Sequence, residues 1–293
     1  MTRTLVIGAR GSRLSLRQVE LVAEALRAAH PGISLDVREI RTEGDRSGAP
    51  LSQIGGTGVF TKAIEDALLN SEIDIAVHSL KDLPPQLLPG LIISAVPPRG
   101  DVRDALVSRD RRPLAALPAG ARIGTSSERR AVMLSALRPD IVTADIRGNV
   151  DTRIRKVEQG DFAATVLAIA GLVRLGLSDR AAQVFEPHEM LPAVGQAALA
   201  VEVRADDAEA IEITRAIEDE ESRAAVDAER AFLARLGAGC RLPVGALATV
   251  SNAQLWLRAM IARDGEIARA DVRGAASDAV ILGERAADAL GAL

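Results

Sequence analysis

A lysine and an aspartate stand side by side in Ala76-Val77-His78-Ser79-Leu80-Lys81-Asp82-Leu83-Pro84, just beyond an apolar run that begins at Ile73. The run reads as a buried strand, and strand ends of α/β sheets are where ligands usually sit. Lys81 stands out because only three of the 36 basic residues are lysine, the others being Lys62 and Lys156. Two readings stand for this stretch: a functional pair at a ligand-bearing strand end, or a surface Lys–Asp pair capping a turn. Three further segments fall where loops leave strands. They are Arg10-Gly11-Ser12, Gly124-Thr125-Ser126-Ser127-Glu128-Arg129-Arg130, and Ile146-Arg147-Gly148-Asn149 with Arg153 and Arg155 following. Guanidinium forks suit carboxylates or phosphates, and hydroxyls or amides at a helix start can hold an anion. In a chain this rich in arginine, solvated surface positions are the competing reading for each. Cys240 lies in Gly237-Ala238-Gly239-Cys240-Arg241, the only cysteine present. It is either a small buried hydrophobe or an accessible thiol beside Arg241, suited to covalent attachment.

The elements that must position these residues follow from periodicity and breakers. Residues 4–9 read as a strand, and Ser12 caps a helix to residue 29 with Leu14, Leu21, Val22, Ala25 and Leu26 on its apolar stripe. His30-Pro31-Gly32 stops it, and Ile33, Leu35 and Val37 alternate as a strand, an opening that favours a parallel sheet with helices on its faces. Residues 42–58 hold many glycines without a Walker A or dinucleotide spacing, which reads as a flexible loop. A helix over 60–69 leads to the strand at Ile73. Beyond a strand at 91–96, residues 97–101 form a first candidate hinge. A second α/β pattern then has strands at 104–107, 122–124, 141–146 and 163–168. Its helices run over 127–137, 150–159 and 171–175. A second linker, 192–196, precedes a strand at 197–203, helices at 206–216 and 221–236, and a small strand, strand, turn, strand, helix unit.

Composition narrows the function. At 293 residues there is room for two domains and a third small one. A 48% hydrophobic and 26% charged chain is an ordinary globular protein. Four Phe, one Trp and no Tyr leave little for base stacking, and a net charge of −4 speaks against nucleic acid as a partner. One cysteine and three separated histidines (His30, His78, His188) provide no metal motif. The N-terminal apolar stretch is too short for a signal peptide, and the longest apolar run, 162–173, falls short of the roughly 18 residues of a membrane span. A cytoplasmic location without membrane association is expected.

Taken together, the segments resemble the porphobilinogen deaminase (hydroxymethylbilane synthase) family over nearly the whole chain. The resemblance rests on Arg10-Gly-Ser12, Thr42-x-Gly44-Asp45, His78-Ser-x-Lys81-Asp82-x-Pro84, Gly124-Thr-Ser-Ser-x-Arg129-Arg130 and Arg147-Gly-Asn149. It continues through Ala170-Gly-Leu-x-Arg174-Leu-Gly176, Pro192-Ala-Val-Gly-Gln196, Glu229-Arg230-Ala-Phe-Leu233 and Gly239-Cys240. It implies an α/β fold: two periplasmic-binding-protein-like α/β domains with a cleft between them, plus a small C-terminal α+β domain. The implied boundaries are 1–98 with 197–217, 99–196, and 218–293.

The family reaction joins four porphobilinogen molecules head to tail with loss of ammonia and releases the linear tetrapyrrole hydroxymethylbilane, a step of haem biosynthesis. The chain grows on a dipyrromethane cofactor assembled from substrate and held by a thioether to the cysteine that matches Cys240. The resemblance implies Asp82 as the catalytic carboxylate, stabilising the azafulvene cation left by ammonia and shuttling protons. It implies Lys81, Ser12, Thr125, Ser126, Ser127, Arg129, Arg130 and Arg147 as cofactor-binding, and Arg10, Arg147, Arg153 and Gln18 as substrate-binding. Asp45, Gly55, Gly56, Phe60 and Lys62 would belong to a mobile loop over the cleft. No metal is implied, and a monomer is expected. Thr57, Ala63, Ala197 and Ala238 depart from the usual pattern, which has Lys, Glu, Gly and Gly there. Two rivals stand beside this reading: a binding module closing on an anionic ligand without chemistry, and a Schiff-base enzyme using Lys81.

Overall fold

The computed structural model describes residues 4–40, 61–237, 243–263 and 266–291. The chain forms two compact units, Met1–Arg99 with Ala198–Arg223, and Gly100–Ala197 with Ala224–Leu293. In chain order, β1 (Thr4–Arg10), α1 (Arg13–Ala29), β2 (Ser34–Ile40), α2 (Lys62–Leu69), β3 (Ile75–Ser79) and β4 (Leu91–Ala95) belong to the first unit. The second unit opens with β5 (Asp104–Ser108), β6 (Arg122–Gly124), α3 (Glu128–Leu137), β7 (Val142–Ala144), α4 (Val150–Gln159), β8 (Ala164–Ala168), α5 (Ile169–Arg174) and β9 (Gln183–Phe185). The chain then returns for β10 (Leu199–Arg204) and α6 (Ala208–Arg215). The next division point falls inside α7 (Glu220–Arg235), after which come β11 (Val244–Ser251), β12 (Gln254–Arg263), β13 (Glu266–Ala275) and α8 (Ala279–Gly291).

The two five-stranded sheets repeat one plan. In the first the order is β2-β1-β3-β10-β4, with β2, β1 and β3 parallel and β10 antiparallel to both neighbours. In the second it is β7-β6-β8-β5-β9, with β7, β6 and β8 parallel and β5 antiparallel to both neighbours. The inserted antiparallel strand is β5, the first strand of the second unit, in one sheet and β10, the first strand after the chain returns, in the other. The C-terminal sheet is the antiparallel meander β11-β12-β13.

Alternation sorts the side chains of each strand to two faces. On one face of the first sheet, Ile7, Val77 and Val201 pack with Val19, Val22 and Leu26 of α1. On the other, Ala76 packs with Ile64 and Leu68 of α2. The buried stripe of α1 is Ser15, Gln18, Val19, Val22, Ala23 and Leu26. This corrects the expected stripe, because Leu14, Leu21 and Ala25 are only half-buried. The helix turns Gln18 inward, and a buried amide with a hydrogen-bond partner, here Ser79, is tolerated there. In the second unit, Phe185 and Val166 share a core with Leu247 and Met260, so one face of the C-terminal meander packs on the second sheet. Its other face packs on Phe232 of α7 and Leu282 and Ala286 of α8. The short strand β9 has no counterpart in the sequence reading, since three residues carry too little periodicity to register.

Candidate functional site

Asp82 is reached through a strand that is held from several sides. His78 is buried, and Ser79 ends β3. The Ser79 Oγ accepts a hydrogen bond from Gln18 Nε2 of α1 at 2.8 Å, and Leu80 N–H donates to the Ala198 carbonyl at 3.0 Å. Leu80–Asp82 then forms one 3₁₀ turn, in which Leu80 is buried while Lys81 and Asp82 are exposed. A buried apolar residue followed by two charges lifts both charged groups off a fixed base. Asp82 has no hydrogen bond or ion pair among the described residues, which leaves its carboxylate available to a ligand. The neighbouring parallel strand β1 ends at Arg10, whose N–H donates to Ser15 Oγ at 3.1 Å. Ser12 caps α1 by accepting from Ser15 N–H at 3.2 Å. Arg10, Ser12, Lys81 and Asp82 thus share the carboxyl ends of two adjacent parallel strands, the usual ligand edge of an α/β sheet.

The second unit builds a matching edge at β6 and β7. Thr125, Ser126 and Ser127 spend their hydroxyls on the loop itself. Thr125 Oγ1 accepts from Ser127 N–H at 3.1 Å, and Ser127 Oγ accepts from Arg130 N–H at 3.4 Å to cap α3. Ser126 Oγ donates to the Ile146 carbonyl at 2.9 Å and accepts from Ile146 N–H at 3.2 Å, lacing the two loops together. Gly148, at φ +109°, turns the second loop in a conformation side chains rarely adopt, and Arg153 Nε donates to its carbonyl at 2.8 Å. Arg147 and Arg153 are half-buried there.

Arg129 and Arg130 are neither solvated nor loosely held. Both are buried around Asp104, which is fully buried at the start of β5. Arg129 Nη2 donates to Asp104 Oδ2 and Arg130 Nη2 to Oδ1, each at 2.7 Å, and Gln196 Nε2 adds a bond to Oδ1 at 2.9 Å. The remaining terminal donors reach the Leu191 carbonyl at 2.5 Å and the Val166 carbonyl at 2.8 Å. Burial alone would raise the Asp104 carboxyl, but the Arg130 and Arg129 guanidiniums outweigh it and hold it well below its ordinary range. Burial pulls Arg129 down, partly offset by Asp104. Within this cluster, the Nε atoms of Arg129 and Arg130 are buried without a partner among the described residues.

Two residues given no site role from the sequence emerge here. Asp104 organises the arginine pair, and its signal was a charge opening the apolar run of β5. Arg174 donates from Nη2 to the Ala197 carbonyl at 2.6 Å, and burial pushes it down to about 10. Ala197 itself sits at φ +71°, in the left-handed region that favours glycine. Lys62 is exposed and pairs with Asp66 at 2.9 Å. Asp45, Gly55, Gly56, Phe60 and the rest of the proposed loop, together with Cys240, lie outside the described residues. Among the described residues no group of three or more His, Cys, Asp or Glu could hold a metal ion, and no helix is long and apolar enough to cross a membrane.

Two mixed sheets, each carrying arginines or a lysine at the carboxyl ends of its parallel strands, define an α/β protein with basic strand ends, at one of which Asp82 stands exposed. The chain matches a family model described as the dipyrromethane cofactor binding domain of porphobilinogen deaminase over residues 5–212, and one for the C-terminal domain of that enzyme over 223–292. The chain belongs to the porphobilinogen deaminase family. It is 51% identical over 292 residues to the porphobilinogen deaminase of Roseiflexus sp. (strain RS-1), covering 99% of this chain and 96% of that one. It is 49% identical over 286 residues to that of Desulforudis audaxviator (strain MP104C), covering 97% and 93%. Among solved structures it is similar to the methionine binding protein MetQ, with a TM-score of 0.47 at 12% identity over 75% of this chain and 92% of that one. A YaeC-family lipoprotein of Enterococcus faecalis gives a TM-score of 0.42 at 17% identity over 75% and 93%.

Proposed function

We propose that this chain is a hydroxymethylbilane synthase, a transferase that condenses four porphobilinogen molecules with loss of ammonia, and that Asp82 is its catalytic carboxylate. The observation that carries the assignment of Asp82 is its exposed, unpaired position on the 3₁₀ turn at the end of β3, next to Lys81. Departure of the aminomethyl nitrogen leaves a cation on the substrate. A fixed carboxylate stabilises that cation most where water is excluded, and the same group can take the proton lost when the new carbon–carbon bond forms.

The dipyrromethane is a chain of carboxylate-bearing pyrroles, and the arginine-rich edges suit it. The buried Nε donors of Arg129 and Arg130 have no partner among the described residues, and Arg147 stands half-buried one loop away. Dipyrromethane, when bound, supplies the nucleophilic pyrrole on which the product is built. Lys81, Arg129, Arg130 and Arg147 would hold its carboxylates, with Ser12, Thr125, Ser126 and Ser127 shaping the loops around them. Arg10, Arg147 and Arg153 would receive the substrate's acetate and propionate. Gln18, being buried against Ser79, would serve substrate by fixing the strand end. Cys240 is the thioether anchor in this reading. The chain would divide into domains at 1–98 with 197–217, 99–196, and 218–293, in a cytoplasmic monomer.

Intact mass tests the reading. Purified protein should be heavier than its sequence by two pyrrole units and react with Ehrlich's reagent, and Cys240→Ala should abolish both. Unmodified mass with full activity would overturn it.

A further inference from the structure

Beneath the turn that carries Lys81 and Asp82 lies a group of ionisable side chains that the reaction does not use. His78 follows Ala76 by two residues on β3, and Glu202 of β10 lies directly opposite Ala76 in the sheet. Both therefore project to the face covered by α2. Glu65, in the first turn of α2, is the polar member of that helix's buried stripe. His78 is 5% exposed, Glu65 3% and Glu202 not at all. His78 Nε2 lies 3.0 Å from Glu202 Oε2, and Thr61 Oγ1 donates to Glu65 Oε2 at 3.1 Å.

That leaves one oxygen on each carboxylate, Glu65 Oε1 and Glu202 Oε1, buried with no hydrogen-bond partner among the described residues. Two buried carboxylates with unpaired oxygens are costly when both are ionised, since each unmet acceptor keeps its full desolvation penalty. One proton on the pair removes a charge and supplies a donor. Burial first, and then the charge of Glu202, push Glu65 toward its protonated form, with Asp66 adding to this and Thr61 and His78 opposing it.

We propose that Glu65 stands as a neutral carboxylic acid whose proton serves the unpaired oxygen of Glu202, and that this Glu65–Glu202–His78 site fastens α2 to the strand from which Lys81 and Asp82 project. Glu65 is then a positioning residue. Its role in turnover rests on the assignment of Asp82, whereas its protonation does not. Among the described residues, the charged and titratable groups around it are Glu202 from β10, His78 from β3 and Asp66 from its own helix.

The sign of the linkage is set by the raised affinity for a proton. Glu65 binds its proton more tightly folded than unfolded, so its contribution is fully present below the ordinary Glu range and is lost as pH rises through its folded value. Infrared spectra of the holoenzyme, with and without carbon-13 glutamate, should show a protonated-carboxyl stretch at neutral pH. That band should be absent in Glu65→Gln and shifted in Thr61→Val, which removes the hydroxyl bonded to Glu65. Glu65→Gln should also lack the alkaline loss of thermal stability that the parent shows. The alkaline fall of kcat in the parent should follow loss of the band. Absence of the band in the parent, its survival in Glu65→Gln, or its indifference to Thr61→Val would overturn the proposal. A band that titrates with no change in kcat would overturn the positioning role. Should Glu65→Gln fail to fold, the labelled parent and Thr61→Val spectra still decide. Asp82→Asn should abolish turnover and leave the band in place, which separates failure of this proposal from failure of the Asp82 assignment.

Discussion

Replacing Asp104 by Asn is the sharpest perturbation of the second unit. Its carboxylate accepts three hydrogen bonds, from Arg129 Nη2 and Arg130 Nη2 at 2.7 Å and from Gln196 Nε2 at 2.9 Å, at a fully buried position. Asparagine keeps one acceptor but turns a donor toward guanidinium donors, and it leaves two buried cations with no anion. Removing one partner of a buried ion pair costs about 3–5 kcal/mol. At about 2–4 °C per kcal/mol for a unit of this size, the transition should fall by about 6–20 °C. Differential scanning calorimetry and urea unfolding of the parent and Asp104→Asn read this directly. A control sharpens the assay: replacing Asp104, Arg129 and Arg130 together by apolar residues of similar volume should restore much of the loss, because the desolvation penalty leaves with the charges. A fall below about 2 °C for Asp104→Asn would refute the reasoning, because a desolvated ion pair cannot lose its anion at so small a cost. The pH dependence follows in sign. Asp104 is held below its ordinary value of 3.8, so its stabilisation is present above that value and is lost as pH falls through the folded one. The gap between the parent and Asp104→Asn should therefore close only in strong acid.

Other expectations concern the site edges and the crossings between units. Asp82→Asn should lose catalysis by about 100-fold or more while keeping the parent melting temperature, since an exposed carboxylate without partners contributes to chemistry rather than to folding; pre-steady-state ammonia release checks it. Ala197→Gly should raise the melting temperature by about 1–3 °C, because relief of a left-handed alanine outweighs the added freedom of the unfolded chain. Gly148→Ala should do the reverse, as its Cβ would meet Thr152 Cγ2 at 2.5 Å in a backbone at φ +109°. Calorimetry reads both, and the same variant should raise KM by displacing Arg147.

Much of the framework was legible because it is local. Ser12 and Ser127 announce helix starts with side chains that do cap α1 and α3, and β6 and α4 keep the expected bounds, with Gly124 ending the one and Gly160 capping the other. Sheet order was not legible from periodicity, because it depends on pairing β10 with strands more than 100 residues earlier. The arginine pair shows the same limit on a smaller scale. The residues around Arg129 and Arg130 gave no sign of Asp104, which the fold brings across 25 and 26 residues to meet them. Glu65 and Glu202 were silent for a like reason: a glutamate in a helix reads as solvated until the opposing strand is known.

The strand that completes each five-stranded sheet has a consequence for synthesis on the ribosome. Every strand of the second sheet is available once residue 185 has emerged, whereas the first sheet lacks β10 until residue 204. At translation speeds of about 5–20 residues per second, β3 and β4 wait on the order of ten seconds with an empty lane between them. The N-terminal half of the nascent chain is thus the later of the two to close. During that interval the β3 edge and all of β4 stand unpaired, open to pairing with another chain.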